Sequence, residues 1–366
     1  MHLRKKSTFV YALLAASLLL LTACPGPEPP DPTPPIDAHA DGIFVLNEGV
    51  MDHNNSSISY YDMKTGVINP DIFLEANHRG LGDTGNDLQR YGSKLYAVVN
   101  VSNRVEVMNF ANAKSLKSIS LEGKQPRYIC FLNGKAFVSC FDGDVVRIDT
   151  ATLEIDGTVR CGRNPEGICV CNHKLYVANS GGLDNPNYDN TVSVVDPNTM
   201  TVTKTITVGI NPYIVKGYND QYIYVNSRGD YMATPYNLYK IDAATDEVVK
   251  EYGIEVLNFD IYGDKAFVYS YDFMNSTSWI KVLNLHTDEL SDHNFITDGT
   301  TIETPYSITA NPLNGDIYIT DVHDFTVTGD VYCFSQDGKK KFSFEVGINP
   351  SKIVFNTETN LISKYQ

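Results

Sequence analysis

Thr191-Val192-Ser193-Val194-Val195-Asp196 is one of seven short stretches that share a single template: alternating apolar residues, then Asp, Asn or Ser, then a turn. The others are Ser57 to Asp62, Arg104 to Asn109, Asp144 to Asp149, Asn237 to Asp242, Trp279 to Asn284 and Asp330 to Ser335. Each is preceded by a run with an aromatic or small residue at its centre, as in Leu175-Tyr176-Val177, Ala136-Phe137-Val138 and Ile223-Tyr224-Val225. β-branched and aromatic residues at this density suit a pleated sheet buried on both faces. Roughly 320 residues divided among seven units gives about 46 each, the length of a four-stranded propeller blade.

The first strand of each unit opens at a turn, in five cases through X-Pro: Gln125-Pro126, Asn164-Pro165, Asn211-Pro212, Thr304-Pro305 and Asn349-Pro350. The last of these, Ser351 to Phe355, has no partners after it, and Ile43 to Leu46 has no first strand before it. Pairing them closes the ring and removes an exposed sheet edge. The expectation is an all-β, seven-bladed β-propeller over residues 42–361, closed by its N- and C-terminal strands.

Working outward, residues 1–23 read as a lipoprotein signal peptide. Arg4, Lys5 and Lys6 precede an apolar run that ends at Leu21-Thr22-Ala23-Cys24, which looks like a bacterial lipobox. Cys24 is then the lipidated first residue of the mature chain. Seven prolines between Pro25 and Pro35 make residues 24–41 an extended stalk of about 3.1 Å per residue. Residues 362–366 are a tail. The expected location is the outer membrane, lipid-anchored, at the cell surface.

The formal net charge is −15, and loss of the signal peptide removes three further positive charges. With no basic cluster to neutralise phosphates, nucleic acid is disfavoured as a partner. Apart from Cys333, the cysteines after Cys24 crowd between Cys130 and Cys171. Cys169 and Cys171, two apart on one strand, cannot bridge each other. Buried free thiols are expected rather than a disulfide framework.

First-to-second turns are tight, as at Asn133-Gly134, whereas several second-to-third connections are long: residues 48–56, 180–190, 228–236, 271–278 and 322–329. In an up-and-down blade these long loops emerge on one face, where function tends to be carried. The residues opening the first strands, Asn86, Arg127, Glu166, Tyr213, Leu257, Tyr306 and Ser351, should ring the mouth of the central channel there. Arg127 and Glu166, on adjacent blades, can either meet a ligand or pair with each other. Asn47, Asn179, Asn226 and Asp321 at second-strand ends, with Arg228, Tyr231 and Tyr271 from the loops, complete the candidate ligand site. Catalytic signatures are lacking: no Gly-x-Ser-x-Gly, no His-Glu-x-x-His and no phosphate-cradling loop. Asp184, Asn185, Asn187 and Asp189 match no defined calcium loop. No metal site, cofactor or enzymatic activity is expected.

The repeat of Asn-Pro-x-x-Ile, Asn-Gly-Lys-x-Phe-Val and Val-x-Val-Ile-Asp-x-x-Thr, with close variants at Asn211 to Ile214, Lys174 to Asn179 and Thr191 to Asp196, resembles the YncE-like seven-bladed propellers. With the lipobox and proline stalk, the chain also resembles the DUF5074-type surface lipoproteins of gut Bacteroidetes. One branch of those captures cobalamin and passes it to a TonB-dependent outer-membrane transporter. The resemblance therefore implies a non-catalytic protein with cobalamin as ligand and such a transporter as partner. It marks no ligand residue, and a glycan-binding or adhesion module and a propeller lactonase or oxidoreductase remain the alternatives.

Overall fold

The computed structural model describes residues 41–182 and 184–357. The signal peptide, Cys24, the proline stalk and the tail lie outside the described residues. Seven four-stranded antiparallel sheets form the blades. Their first strands run Gly85–Tyr91, Pro126–Leu132, Pro165–Cys171, Pro212–Tyr218, Asn258–Tyr262, Pro305–Ala310 and Pro350–Asn356. Each touches the next in turn around the axis, and the last returns to the first. Blade 1 is the hybrid expected from the two chain ends: Gly42–Asn47 pairs with Pro350–Asn356 on one side and Ser57–Asp62 on the other. No sheet edge is left at the seam.

The repeated sequence features have physical causes that can be read blade by blade. The central aromatic of each second strand, Phe44, Tyr96, Phe137, Tyr176, Tyr224, Phe267 or Tyr318, is buried between neighbouring blades. Each such side chain contributes about 1.5–3 kcal/mol. The Asp or Asn ending the third strand caps a turn through its own side chain. Asp149 accepts from the Ala151 and Thr152 amides, Asp196 from Asn198 and Thr199, Asp242 from Ala244 and Thr245, and Asn284 from His286 and Thr287. A carboxylate or amide at that position folds the next residues back into the fourth strand.

Asn133 and Gly134 both take positive φ (50° and 77°), as a two-residue hairpin turn requires. Ahead of the first strands, Gln125, Asn164, Asn211 and Asn349 also sit at positive φ, a conformation that Asn tolerates better than most residues. In these four blades, though not at Thr304-Pro305, the X-Pro start is thus a left-handed residue followed by a fixed-φ proline.

Two departures from the sequence reading have local explanations. The expected 271–278 loop is mostly sheet: Lys265–Asp272 and Thr277–Asn284 pair to their ends around a turn at 273–276. The connection after blade 1 carries a short helix, Ile72–Asn77, capped by the Asp71 side chain on the Leu74 amide. Its Phe73 is buried against Phe44, Leu46, Ile58 and Leu81, filling the space left by the two-residue fourth strand Ile68–Asn69. All six described cysteines are free.

Candidate functional site

The channel mouth on the long-loop face is shaped by β-bulges. In blades 3, 4, 5 and 7 the pairing of first and second strands slips just after the proline, between Pro126 and Ile129, Pro165 and Ile168, Pro212 and Val215, and Pro305 and Ile308. A bulge frees two successive side chains from strict alternation and re-aims them. Those residues include Arg127, Glu166, Tyr213 and Tyr306.

Arg127 and Glu166 pair: Nε donates to Oε2 at 2.8 Å, with the carboxylate side chain 1% exposed. Arg228, from the long loop of blade 5, donates Nη2 to the other oxygen at 3.3 Å and to Asn211 Oδ1 at 3.0 Å. Its guanidinium lies 4.0 Å from the Tyr213 ring centre, and that of Arg127 lies 4.6 Å from Phe141. Burial disfavours both guanidinium charges, but Glu166 together with neighbouring tyrosines, Tyr213 among them, outweighs it and holds both pKa values above the ordinary one. Tyr128 donates to the Tyr213 hydroxyl at 2.7 Å. Across the mouth, Tyr306 donates to Glu48 Oε2 at 2.8 Å. Burial raises the Glu48 pKa, opposed by that hydrogen bond and by Arg127. Asn86 is spent on the Arg127 carbonyl at 2.5 Å, and Leu257 is half-buried.

The second-strand residues behave differently. Asn47 turns its amide onto Ser57 and Ser59, and Asn179 onto Thr191 and Ser193, each reaching the third strand of its own blade. Gly347 and Gly162 cover them so closely that a Cβ there would meet the amide at 2.7 Å or less. Asn226 sits one residue earlier in the strand and so faces the other way. It accepts from the Ile214 amide and donates to the Val256 and Leu257 carbonyls. Asp321 accepts from the Glu303, Thr304 and His323 amides. All four are fully buried, so they hold the rim rather than present it.

Loop side chains are what the mouth exposes. Tyr231 packs between Tyr188 and Tyr236, with ring centres 6.2 and 6.3 Å away. Tyr271 is buried under Phe273 at 4.8 Å, and Phe325 lies 6.0 Å from Tyr306. Met232 and Phe273 stand out into solvent. Arg228 Nε and Asn349 Oδ1 are buried without a hydrogen-bond partner, while the Ser351 hydroxyl lies against Glu48 and helps to lower its pKa. Buried polar atoms are rarely left unpaired. The sequence pointed to Arg228, Tyr231 and Ser351 but not to Asn349, whose amide anchors the Gly49 and Phe325 carbonyls. Its place in the X-Pro turn was the available signal.

The same channel holds a separate cavity of about 670 Å³ beyond Tyr128, opening among the short turns at Asn219-Asp220 and Gly263-Asp264. Sequence reading did not anticipate it. Its walls carry Lys216, Asp260, Asp87 and Lys352. Among the described residues, no three His, Cys, Asp or Glu side chains converge as a metal site requires.

The fold is thus a closed seven-bladed β-propeller with long loops and aromatic rings at one mouth. The chain belongs to the family described as domain of unknown function DUF5074, whose profile matches residues 41–356. No functionally curated protein matches it. Among solved structures it is similar to a quinonprotein alcohol dehydrogenase-like protein from Bacteroides thetaiotaomicron, with TM-score 0.62 and 17% identity over 87% of this chain and 79% of the other. It is also similar to hydrazine synthase from Kuenenia stuttgartiensis, with TM-score 0.56 and 16% identity over 66% and 74%. The computationally designed Ika8 protein gives TM-score 0.54 and 13% identity over 86% and 90%. At these identities the likeness concerns the fold alone.

Proposed function

We propose that this protein is a non-catalytic binding protein that takes a large, partly flat ligand on the long-loop face, with cobalamin or a related corrinoid as the ligand. The observation that carries the reading is the conjunction at that mouth of exposed rings (Tyr231, Phe273, Phe325) with buried, unpaired donors and acceptors (Arg228 Nε, Asn349 Oδ1). A ligand with an apolar face and amide or hydroxyl edges satisfies both sets at once. The bulged ring of Arg127, Glu166, Arg228 and Tyr213 is a rigid floor because each member is held by another. In the cell the chain acts as a lipid-anchored surface protein, tethered through Cys24 and its proline stalk, and delivers the ligand to a TonB-dependent outer-membrane transporter.

Gel filtration of the protein mixed with cyanocobalamin tests the ligand directly. Red colour travelling with the protein supports the reading. Colour confined to the small-molecule fraction overturns it.

A further inference from the structure

The channel cavity beyond Tyr128 contains a charge that the protein itself leaves incompletely satisfied. Six charged side chains line it, Asp220 and Asp264 at its opening, and all but Lys352 hold hydrogen bonds: Asp264 accepts from the Tyr218 hydroxyl and Asp220 from the Asn172 amide. Lys216 Nζ donates to Asp260 Oδ1 at 2.7 Å, and Asp260 Oδ2 accepts from the Ala310 amide at 2.9 Å. Asp87 accepts from the Leu88 and Ile129 amides at 2.9 and 3.0 Å. Lys352 differs. Its nearest carboxylate oxygen, on Asp87, is 3.7 Å away, beyond hydrogen-bond distance, and its Nζ lies 4.9 Å from the Tyr128 ring centre. Among the described residues the ammonium has these two contacts and no hydrogen-bond acceptor. An ammonium carries three donors, and with the Lys352 side chain 26% exposed those donors face the cavity.

The uncharged part of the wall includes Ile214, Cys130, Cys169 and the rings of Tyr218 and Tyr262. We propose that this short-turn mouth is a second ligand site that takes a small organic monocarboxylate, its carboxylate on Lys352 and its apolar body against Ile214, Cys130 and Cys169. The cavity volume falls within the range of about 300–1,000 Å³ usual for small-molecule sites. Burial pushes the Lys352 pKa below its ordinary value against the attraction of Asp87 and Asp260, and a bound carboxylate adds to that attraction. The Tyr128–Tyr213 hydrogen bond and the Arg127–Glu166 pair lie between this site and the long-loop mouth, so the two bind independently.

Titration calorimetry of the full-length chain with phenylacetate and hexanoate, and with phenylacetamide as the uncharged control, tests the proposal. The expected result is saturable binding of at least one acid, at least tenfold weaker binding of the amide, and at least tenfold loss of acid binding in Lys352→Met. Tyr231→Ala, on the other face, leaves acid binding unchanged. Because the comparison of acid and amide needs only the unaltered protein, it stands even if Lys352→Met misfolds. Absence of saturable binding by either acid, or equal binding of acid and amide, overturns the proposal. Neither outcome bears on cobalamin at the opposite mouth.

Discussion

Arg127 and Glu166 bridge two successive blades at the channel mouth, 2.8 Å apart, with the glutamate side chain almost wholly out of solvent. Arg228 holds the second carboxylate oxygen, so one buried anion balances two cations. Replacing Glu166 by alanine leaves both guanidiniums uncompensated in a poorly solvated place, at a cost of about 3–5 kcal/mol. The expected outcome is a clear drop in the urea midpoint of Glu166→Ala, with Glu166→Gln between it and the parent. An unchanged midpoint for the alanine variant would show the cluster to be hydrated and energetically slight.

Glu48 gives a pH dependence of definite sign. Because burial raises its pKa in the folded chain above the ordinary 4.5, the folded state holds this proton more tightly than the unfolded state does. Its contribution to stability is therefore intact below the unfolded value and is lost as pH rises through the folded one. Glu48→Gln, which keeps a hydrogen-bond acceptor for Tyr306, should melt at a higher temperature than the parent at neutral pH. The difference should close toward about pH 4. Thermal melts across that interval check it, and a gap that widens on acidification would reverse the assignment.

Closure of the ring was legible because the incomplete repeats at the two ends are complementary, and the central aromatics from Phe44 to Tyr318 mark the blades. The bulges were not legible, since a two-for-one mismatch depends on pairing partners and leaves no mark in one strand's alternation. That is why the sequence shows Arg127, Glu166, Tyr213 and Tyr306 as a ring, with the Arg127–Glu166 pair only one of two readings and the Tyr213 and Tyr306 contacts unmarked. Asn47, Asn179 and Asn226 share residue type and strand end, yet a one-residue offset sends Asn226 to the opposite side of its sheet. Lys352 escaped notice because it lies one position beyond the ring residue Ser351, and only the depth of the channel reveals its surroundings.

The seam in blade 1 supplies a third test. Gly42–Asn47 relies on Pro350–Asn356 for one whole side of its ladder, and Val354 and Phe355 are buried against two neighbouring clusters. Ending the chain at Gly347 strips those hydrogen bonds and exposes a flat apolar edge at the channel. The truncated protein should be recovered in aggregates, or soluble without a cooperative unfolding transition. A soluble monomer that melts like the parent would mean that closure adds little.

The long-loop rings can be separated from the fold they decorate. Tyr231 is 47% exposed and Phe273 56%, so truncating either removes few internal contacts, and surface changes of this kind usually stay within about 0.5 kcal/mol. A ligand lying across both rings loses about 0.5–1.5 kcal/mol per aromatic contact beyond the area effect. The double variant Tyr231→Ala, Phe273→Ala should therefore keep the parent's melting temperature while binding cyanocobalamin about tenfold or more weakly, measured by calorimetry. Unchanged affinity in a normally folded double variant would move the ligand off this rim, leaving the Arg228 and Asn349 atoms to be satisfied by something that does not touch the loops.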